Sequence, residues 1–191
     1  MAPPGRKGGR LLLPLAVGLP LAAVFALLGW ALARTGGQPA GVVINTVFGE
    51  VPVAQRPAPE FTLPLLNGDT LRLSDLRGKV VVVDFFASWC PPCRREAPIL
   101  ARVAGRFKGQ GVEFVGVAVW DDEGEVRRYV REFGLPFPVG LDSRGRIAIE
   151  YGIRGIPEKF LIGRDGVLLR KVVGPTPEEK WEALFRDLLS R

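Results

Sequence analysis

The sequence predicts an α/β sandwich with a mixed central sheet, preceded by one N-terminal transmembrane helix. Three observations support this prediction. The composition is that of a globular chain, since 47% of the 191 residues are hydrophobic and 24% are charged. Along residues 57–191, strand and helix patterns follow in the order β-α-β-α-(α)-β-β-α, which is typical of a layered α/β fold. Residues 11–33 form a run of 23 residues without a charge.

The uncharged run divides the chain into four predicted segments. A helix of this length covers about 34 Å, enough to cross the hydrocarbon core of a membrane. Residues 1–10 contain Arg6, Lys7 and Arg10, whereas residues 35–55 contain no Lys or Arg. By the positive-inside rule, residues 1–10 are then a cytoplasmic tail and everything after the helix lies outside. We interpret residues 34–56 as a Gly/Pro-rich linker with room for one short strand, and residues 57–191 as the folded domain.

Cleavage of the N-terminal segment is the alternative to anchoring. Residues 31–33 read Ala-Leu-Ala, which fits the small-residue pattern of a signal-peptide cleavage site. The apolar run exceeds the usual signal-peptide core, which favours an anchor. Both interpretations place the domain on the extracytoplasmic, or periplasmic, side of the membrane.

The charge distribution argues against nucleic-acid binding. The net charge is +6, but residues 57–191 hold 21 Lys/Arg and 19 Asp/Glu. Most of the excess therefore lies upstream of the domain, and the domain has no strong basic field.

The first half of the domain predicts a hairpin, a strand, a helix and a strand. Residues 61–73 alternate around Asn67-Gly68, a hairpin signal, and residues 74–78 predict a short capped turn. Residues 79–87, KVVVVDFFA, are nearly all apolar, as in a strand buried on both faces. A helix over 93–107, with Pro98 inside it, and a buried strand over 112–119 follow.

The second half predicts two helices, a strand hairpin and a last helix. The helices cover 121–133 and 144–151, and the strands 159–162 and 167–173. Thr176 is predicted to cap the last helix, EEKWEALFRDLL, with Pro177 in its first turn and Glu179 closing a capping box.

The two cysteines of the chain, Cys90 and Cys93, lie in the segment FFASWCPPCRREAP. A disulfide between them closes a four-residue loop, which gives little entropic stabilisation. A structural zinc site needs about four Cys/His ligands, and the chain has no histidine. Haem attachment needs histidine after the second cysteine, where Arg94 stands. A C-x-x-C pair between a buried strand and a helix instead favours redox chemistry, because the helix N-terminus stabilises the thiolate that attacks disulfides. We expect this chemistry to need no metal or cofactor.

These motifs resemble a known family. The segment DFFASWCPPC, with Asp84 before the cysteines and Pro98 after them, resembles the thioredoxin family, and residues 151–160, YGIRGIPEKF, resemble its cis-proline segment. Together with WCPPCRREAP, GLPFPVGLD and the N-terminal anchor, they are similar to the membrane-bound thiol–disulfide proteins of cytochrome c maturation, the CcmG/DsbE, ResA and TlpA group. The resemblance covers roughly residues 57–191 and implies a thioredoxin-like three-layer sandwich.

The resemblance also implies roles for individual residues. Cys90, the more exposed thiol, attacks the substrate, and Cys93 resolves the mixed disulfide. Pro157 is cis and presents the backbone of Ile156 to an extended substrate. Trp89 covers one side of the groove.

Two carboxylates are further candidates. Glu96 and Asp84 are each placed to exchange a proton with Cys93, and how they divide this work stays open. For Glu96 the alternative is a solvated residue that pairs with arginine. The acidic cluster that begins at Asp121 is better explained as a cap of the next helix than as a metal or basic-partner site.

The expected function is an extracytoplasmic thiol–disulfide oxidoreductase, active as a monomer, that reduces the C-x-x-C-H disulfide of apocytochrome c before haem attachment. A DsbD/CcdA-type membrane protein would supply electrons. The alternatives are a general disulfide reductase or oxidant for other exported proteins and a tethered module without catalysis. A thioredoxin-fold peroxidase would need Pro and Thr where this chain has Val83 and Ala87.

Overall fold

A computed structural model of the chain describes residues 12–34 and 43–190. The chain divides into two compact units, residues 1–39 and 40–191. In the first unit, helix α1 spans Leu12–Arg34. Across the described residues, no helix is both long enough and apolar enough to cross a membrane. The predicted cytoplasmic tail, residues 1–10, lies outside the described residues.

The second unit alternates strands and helices. Its helices are α2 Pro91–Phe107, α3 Glu123–Phe133, α4 Arg146–Tyr151 and α5 Glu178–Leu189, and a short 3-10 turn covers Leu73–Leu76. Its strands are β1 Val43–Ile44, β2 Gly49–Val51, β3 Arg56–Pro57, β4 Thr62–Pro64, β5 Thr70–Arg72, β6 Val80–Phe86, β7 Val112–Ala118, β8 Val139–Leu141, β9 Gly155–Ile156, β10 Glu158–Ile162 and β11 Val167–Val173.

A mixed sheet forms the centre of this unit, as the sequence predicts. Its order is β2-β11-β10-β6-β7-β8, with β3 also pairing with β11. Strands β6, β7 and β8 run parallel, and β10 runs antiparallel to β6. All seven residues of β6 are buried, because the sheet is covered on both faces.

Helices cover both faces of the sheet. Successive residues of a strand point to opposite faces, so Phe85 and Phe86 lie on different sides of β6. Tyr151 of α4 packs against Phe85 on one side. Tyr129 of α3 stacks on Phe86 on the other, and on that side Trp181 of α5 packs against the β7 residue Phe114. The result is the predicted three-layer α/β sandwich.

Three predictions about local structure need correction. Strands β1 to β3, which lie in or beside the predicted linker 34–56, pair with β9 and β11, so the folded unit begins upstream of residue 57. Strands β8 and β9 were not predicted, because two or three residues are too short for a periodic pattern. Pro177, not Thr176, occupies the cap position of α5, and Thr176 is buried.

Candidate active site

The site forms where β6 passes into α2. Cys90 and Cys93 are joined in a disulfide, with their Cα atoms 5.3 Å apart. Cys90 is the N-cap of α2, and its sulfur accepts a hydrogen bond from the Cys93 N–H at 3.4 Å. Pro91 and Pro92 occupy the first two helical positions, where an N–H has no partner within the helix. The partial positive charge of the helix N-terminus therefore acts on the Cys90 sulfur and favours its thiolate.

Exposure does not distinguish the two cysteines. Cys90 is 0% exposed and Cys93 is 2% exposed. The expectation that Cys90 is the more exposed thiol is therefore wrong for the oxidised form. Their positions on α2 do differ, since Cys90 precedes the helix and Cys93 lies in its first turn, where its carbonyl accepts a hydrogen bond from the Tyr129 hydroxyl at 3.0 Å.

The cis-proline loop lies beside the end of β6. The Ile156–Pro157 bond is cis, and Ile156 is fully buried. Glu158, the next residue, is opposite Phe85 in the β10–β6 pairing. Pro157 is thus placed at the same end of the sheet as the turn that leads to Cys90. Glu158 also braces the loop, because its carboxylate accepts a hydrogen bond from the Gly155 N–H at 3.2 Å and pairs with a lysine of β11.

Trp89 and the acidic cluster shape the turn before the disulfide. The partly exposed Trp89 ring donates a hydrogen bond from Nε1 to the carbonyl of Trp120 at 2.8 Å. Asp121 accepts hydrogen bonds from the N–H and hydroxyl of Ser88 at 2.5 and 2.9 Å. Asp122 is the N-cap of α3, where it accepts from two backbone N–H groups. The cluster thus holds this turn and caps the helix, and the described residues contain no group of three or more candidate metal ligands.

Glu96 forms a buried ion pair with Lys159. Both side chains are almost completely buried, and Lys159 Nζ pairs with one carboxylate oxygen of Glu96. The other oxygen accepts the Thr176 N–H at 2.8 Å. Lys159 Nζ also donates to the carbonyl of Gly174 at 2.7 Å and to the Thr176 hydroxyl at 3.4 Å. The alternative of a solvated Glu96 paired with arginine is therefore wrong.

Asp84 adds a second carboxyl group to this cluster. It lies directly opposite Lys159 in the β6–β10 pairing and is buried. Its Oδ1 atom has no hydrogen-bond partner among the described residues. The pKa of Asp84 is raised to about 7, chiefly because burial disfavours its charged form; the positive charge of Lys159 lowers this pKa and the negative charge of Glu96 raises it. Burial also raises the pKa of Glu96, against the lowering effect of Lys159.

The two carboxyl groups are linked to the disulfide through α2 and Tyr129. Glu96 follows Cys93 by three residues on α2, so the two share one face of the helix. The pKa of the Tyr129 hydroxyl is raised by burial and also by the negative charges of Asp84 and Glu96. This hydroxyl donates a hydrogen bond to the Cys93 carbonyl. An acid whose pKa lies near 7 can release and accept protons at physiological pH, which is the property that general acid–base catalysis requires.

Lys159 was missed by the sequence reasoning. It lies in the strand EKFLI, where every residue is buried. Lys159 and Asp84 are each a charged residue within a mostly apolar strand, so the sequence carried the same signal for both. The two residues lie opposite each other in the sheet.

Comparison with known proteins agrees with this geometry. Residues 54–171 match the model of the AhpC/TSA family. The chain belongs to this family. It is 36% identical over 138 residues to the thiol-disulfide oxidoreductase ResA of Bacillus subtilis, covering 71% of this chain and 77% of that protein. It is 32% identical over 131 residues to ResA of Bacillus anthracis, covering 69% and 76% of the two chains.

Solved structures support the same assignment. A putative thiol:disulfide interchange protein DsbE from Chlorobium tepidum superposes with a TM-score of 0.63 at 32% identity, over 78% of this chain and 97% of that one. StoA from Bacillus subtilis superposes with a TM-score of 0.58 at 27% identity, over 65% and 97%. The fold is therefore thioredoxin-like, and the protein is a thiol–disulfide oxidoreductase of the group that includes ResA and DsbE.

The peroxidase alternative finds no support at the site. The signature of those enzymes needs Pro and Thr at the positions of Val83 and Ala87. Both residues are apolar and fully buried, so neither can supply a hydroxyl to a bound peroxide.

Proposed function

We propose that this protein is a membrane-anchored, extracytoplasmic reductase that reduces the C-x-x-C-H disulfide of apocytochrome c before haem attachment. The observation that carries the proposal is the Cys90–Cys93 disulfide at the N-terminus of α2, next to a cis-proline loop and a buried acid with a pKa near 7. The choice of apocytochrome as substrate is supported by the resemblance to the cytochrome c maturation group.

The reaction proceeds through a mixed disulfide. The Cys90 thiolate attacks one sulfur of the substrate disulfide, which forms a Cys90–substrate bond and releases the other substrate sulfur as a thiolate. Cys93 then attacks the Cys90 sulfur and releases the second substrate thiol. Two electrons pass from the protein to the substrate, and the Cys90–Cys93 disulfide forms. No further cofactor takes part.

A buried acid accepts the proton that Cys93 loses in the resolving step. Cys93 must lose its proton before it attacks, and the released substrate sulfur must gain one. We assign the first transfer to Asp84, whose pKa of about 7 allows it to accept a proton near neutral pH. Glu96 and Lys159 form an ion pair that holds a compensating positive charge close to Asp84.

The oxidised protein must be reduced again by a second protein. The chain has two cysteines, so no third thiol can reduce the Cys90–Cys93 disulfide. We propose a DsbD/CcdA-type membrane protein as the donor of these two electrons, and a monomer as the reacting form.

The proposed location follows from the sequence. Residues 11–33 are uncharged and come directly after a basic segment, which favours a single-pass anchor with the domain outside. An extracytoplasmic compartment is also where the cysteine pairs of exported proteins become oxidised and need reduction.

Substrate choice is tested with a matched pair of oxidised peptides. One carries C-x-x-C-H and the other the same sequence with alanine in place of histidine. We expect the reduced protein to reduce the C-x-x-C-H peptide faster, with one Cys90–Cys93 disulfide formed per peptide reduced. Equal rates would favour the alternative of a general reductase. If neither peptide is reduced, and the Cys90→Ser/Cys93→Ser double variant still restores cytochrome c formation in cells, the protein is a binding module.

A further inference from the structure

The chain's own residues 43–45 lie on the cis-proline loop. Strand β1 pairs in parallel with β9, so that Val43 is opposite Gly155 and Ile44 is opposite Ile156. The Asn45 N–H then donates to the Ile156 carbonyl at 2.7 Å. The Asn45 side-chain amide donates to the Pro157 carbonyl at 3.3 Å. We call residues 43–45 the strap.

The loop is shaped for close contact with the strap. A Cβ atom added to Gly155 would lie 2.5 Å from the Val43 carbonyl oxygen, a distance that real structures do not tolerate. Glycine is therefore required at this position while the strap is bound. Ile44 packs partly buried against the core, whereas Val43 is 54% exposed. The strap thus rests on the loop with only one of its two strand residues inserted.

With the strap in place, both the cis-proline loop and the disulfide are buried. Ile156 has no exposed surface, and neither cysteine is more than 2% exposed. A protein disulfide can exchange with Cys90 only after its sulfur has come into contact with the Cys90 sulfur. The closed site therefore has to open before a protein substrate can react.

We propose that the strap occupies the edge on which an extended substrate segment docks, so that the substrate must displace it. This inference rests on the proposed function, in which the Ile156 backbone receives the substrate. An unpaired strand edge accepts any extended chain, because main-chain hydrogen bonds carry the affinity. The partner that fits is an extended peptide next to a disulfide, and the strap is its intramolecular competitor.

The strap is weak enough to open. It has two strand residues, and segments with so few contacts open at a small fraction of the global unfolding free energy. It is also tied to β2, four residues later, so its effective concentration at the loop is about millimolar. The apparent affinity for substrate is then the intrinsic affinity multiplied by the fraction of molecules in which the strap is released.

Asn45→Pro is the variant that releases the strap. Proline has no N–H to donate to Ile156, and the side-chain bond to Pro157 is lost as well. Ile44 already has the extended conformation that a following proline favours. Asn45→Ala keeps the N–H and loses the side-chain bond alone, so it should have an intermediate effect. Gln55→Pro places proline at an exposed position between β2 and β3 and is the matched control.

The first measurement needs no protein substrate. Dithiothreitol reduces the Cys90–Cys93 disulfide and is itself oxidised to a cyclic disulfide, with transfer of two electrons and two protons. We expect Asn45→Pro to be reduced about tenfold faster than the wild-type chain, since a net hydrogen bond changes an equilibrium by up to about tenfold. Gln55→Pro should match wild type, and thermal unfolding of each variant checks that the domain stays folded.

The second measurement uses the strap in trans. A peptide of residues 42–48, VVINTVF, at millimolar concentration should slow reduction of Asn45→Pro and leave the wild-type rate unchanged. If dithiothreitol reduces wild type, Asn45→Ala and Asn45→Pro at equal rates, the proposal that the strap must be displaced is wrong. If Asn45→Pro is reduced faster than wild type but neither of the two exchanges with oxidised C-x-x-C-H peptide, the strap proposal holds and the proposed substrate is wrong. If Asn45→Pro fails to fold, the strap proposal is tested by Asn45→Ala, which dithiothreitol should then reduce faster than wild type.

Discussion

Asp84→Asn tests whether the buried acid is ready to exchange a proton near neutral pH. The substitution replaces a carboxyl group by a neutral amide of nearly the same size. It leaves the ion pair between Glu96 and Lys159 in place. Asp84 has a folded-state pKa of about 7, against an ordinary value of 3.8, because burial disfavours its charged form. The folded protein therefore binds this proton more tightly than the unfolded chain does.

The sign and size of the effect follow from this difference. Because the folded-state pKa is raised, the free energy of unfolding decreases as pH rises from about 3.8 to about 7 and then levels off. A pKa difference of one unit corresponds to about 1.4 kcal/mol. The shift from 3.8 to about 7 therefore lowers the free energy of unfolding of the wild-type protein by about 4 kcal/mol above pH 7. Asparagine carries no such cost. The free energy of unfolding of Asp84→Asn relative to wild type should therefore rise by about 4 kcal/mol between pH 4 and pH 8.

Guanidinium unfolding of the oxidised full-length chain, followed by tryptophan fluorescence, measures this difference. The oxidised form is used so that no thiol titrates in the pH range. Asp75→Asn, at an exposed turn position, is the control and should show no such rise. Asp84→Asn should also exchange disulfides about 100-fold more slowly, the usual contribution of a positioned acid or base. A relative stability that is the same at pH 4 and pH 8 would show that Asp84 is not the proton acceptor we assign.

Three further predictions concern the ion pair and the anchor. Lys159→Met leaves Glu96 buried without its cation, so the free energy of unfolding at pH 8 should fall by about 3–5 kcal/mol in guanidinium titrations; an unchanged value would mean that the pair is not buried in solution. Glu96→Gln should slow disulfide exchange and move its pH–rate profile, as stopped-flow measurements can check, and an unchanged profile would leave Glu96 a purely structural role. A membrane-impermeant thiol reagent should label the reduced protein in intact spheroplasts; labelling only after lysis would contradict the topology, and a mature N-terminus at Arg34 would contradict the anchor.

The sequence was sufficient for the parts of the site that are local. Cys90 and Cys93 lie in one continuous motif, and the cis-proline is recognisable from the residues around it. Long strands such as β6 have a pattern of apolar residues that identifies them. These features depend on neighbours in the chain, so the residues themselves carry the information.

The parts that depend on distant contacts were not predictable. Lys159 and Glu96 are 63 residues apart and meet only because α2 packs over the central sheet. Thr176 looked like a helix cap, but its backbone and hydroxyl are used by this ion pair instead. The burial of Cys90 likewise depends on the folded surroundings of the motif, which the motif does not encode.

The central claim is that Cys90 attacks a protein disulfide and Cys93 resolves the intermediate. Trapping of the mixed disulfide tests it most directly. The Cys93→Ser variant, reduced and mixed with oxidised C-x-x-C-H peptide, should stop at a covalent adduct. Mass spectrometry should locate the peptide on Cys90, and addition of a reductant should release it. Cys90→Ser should give no adduct. Equal trapping by the two variants would contradict the assigned order of attack, and no adduct with either would contradict the proposed reaction.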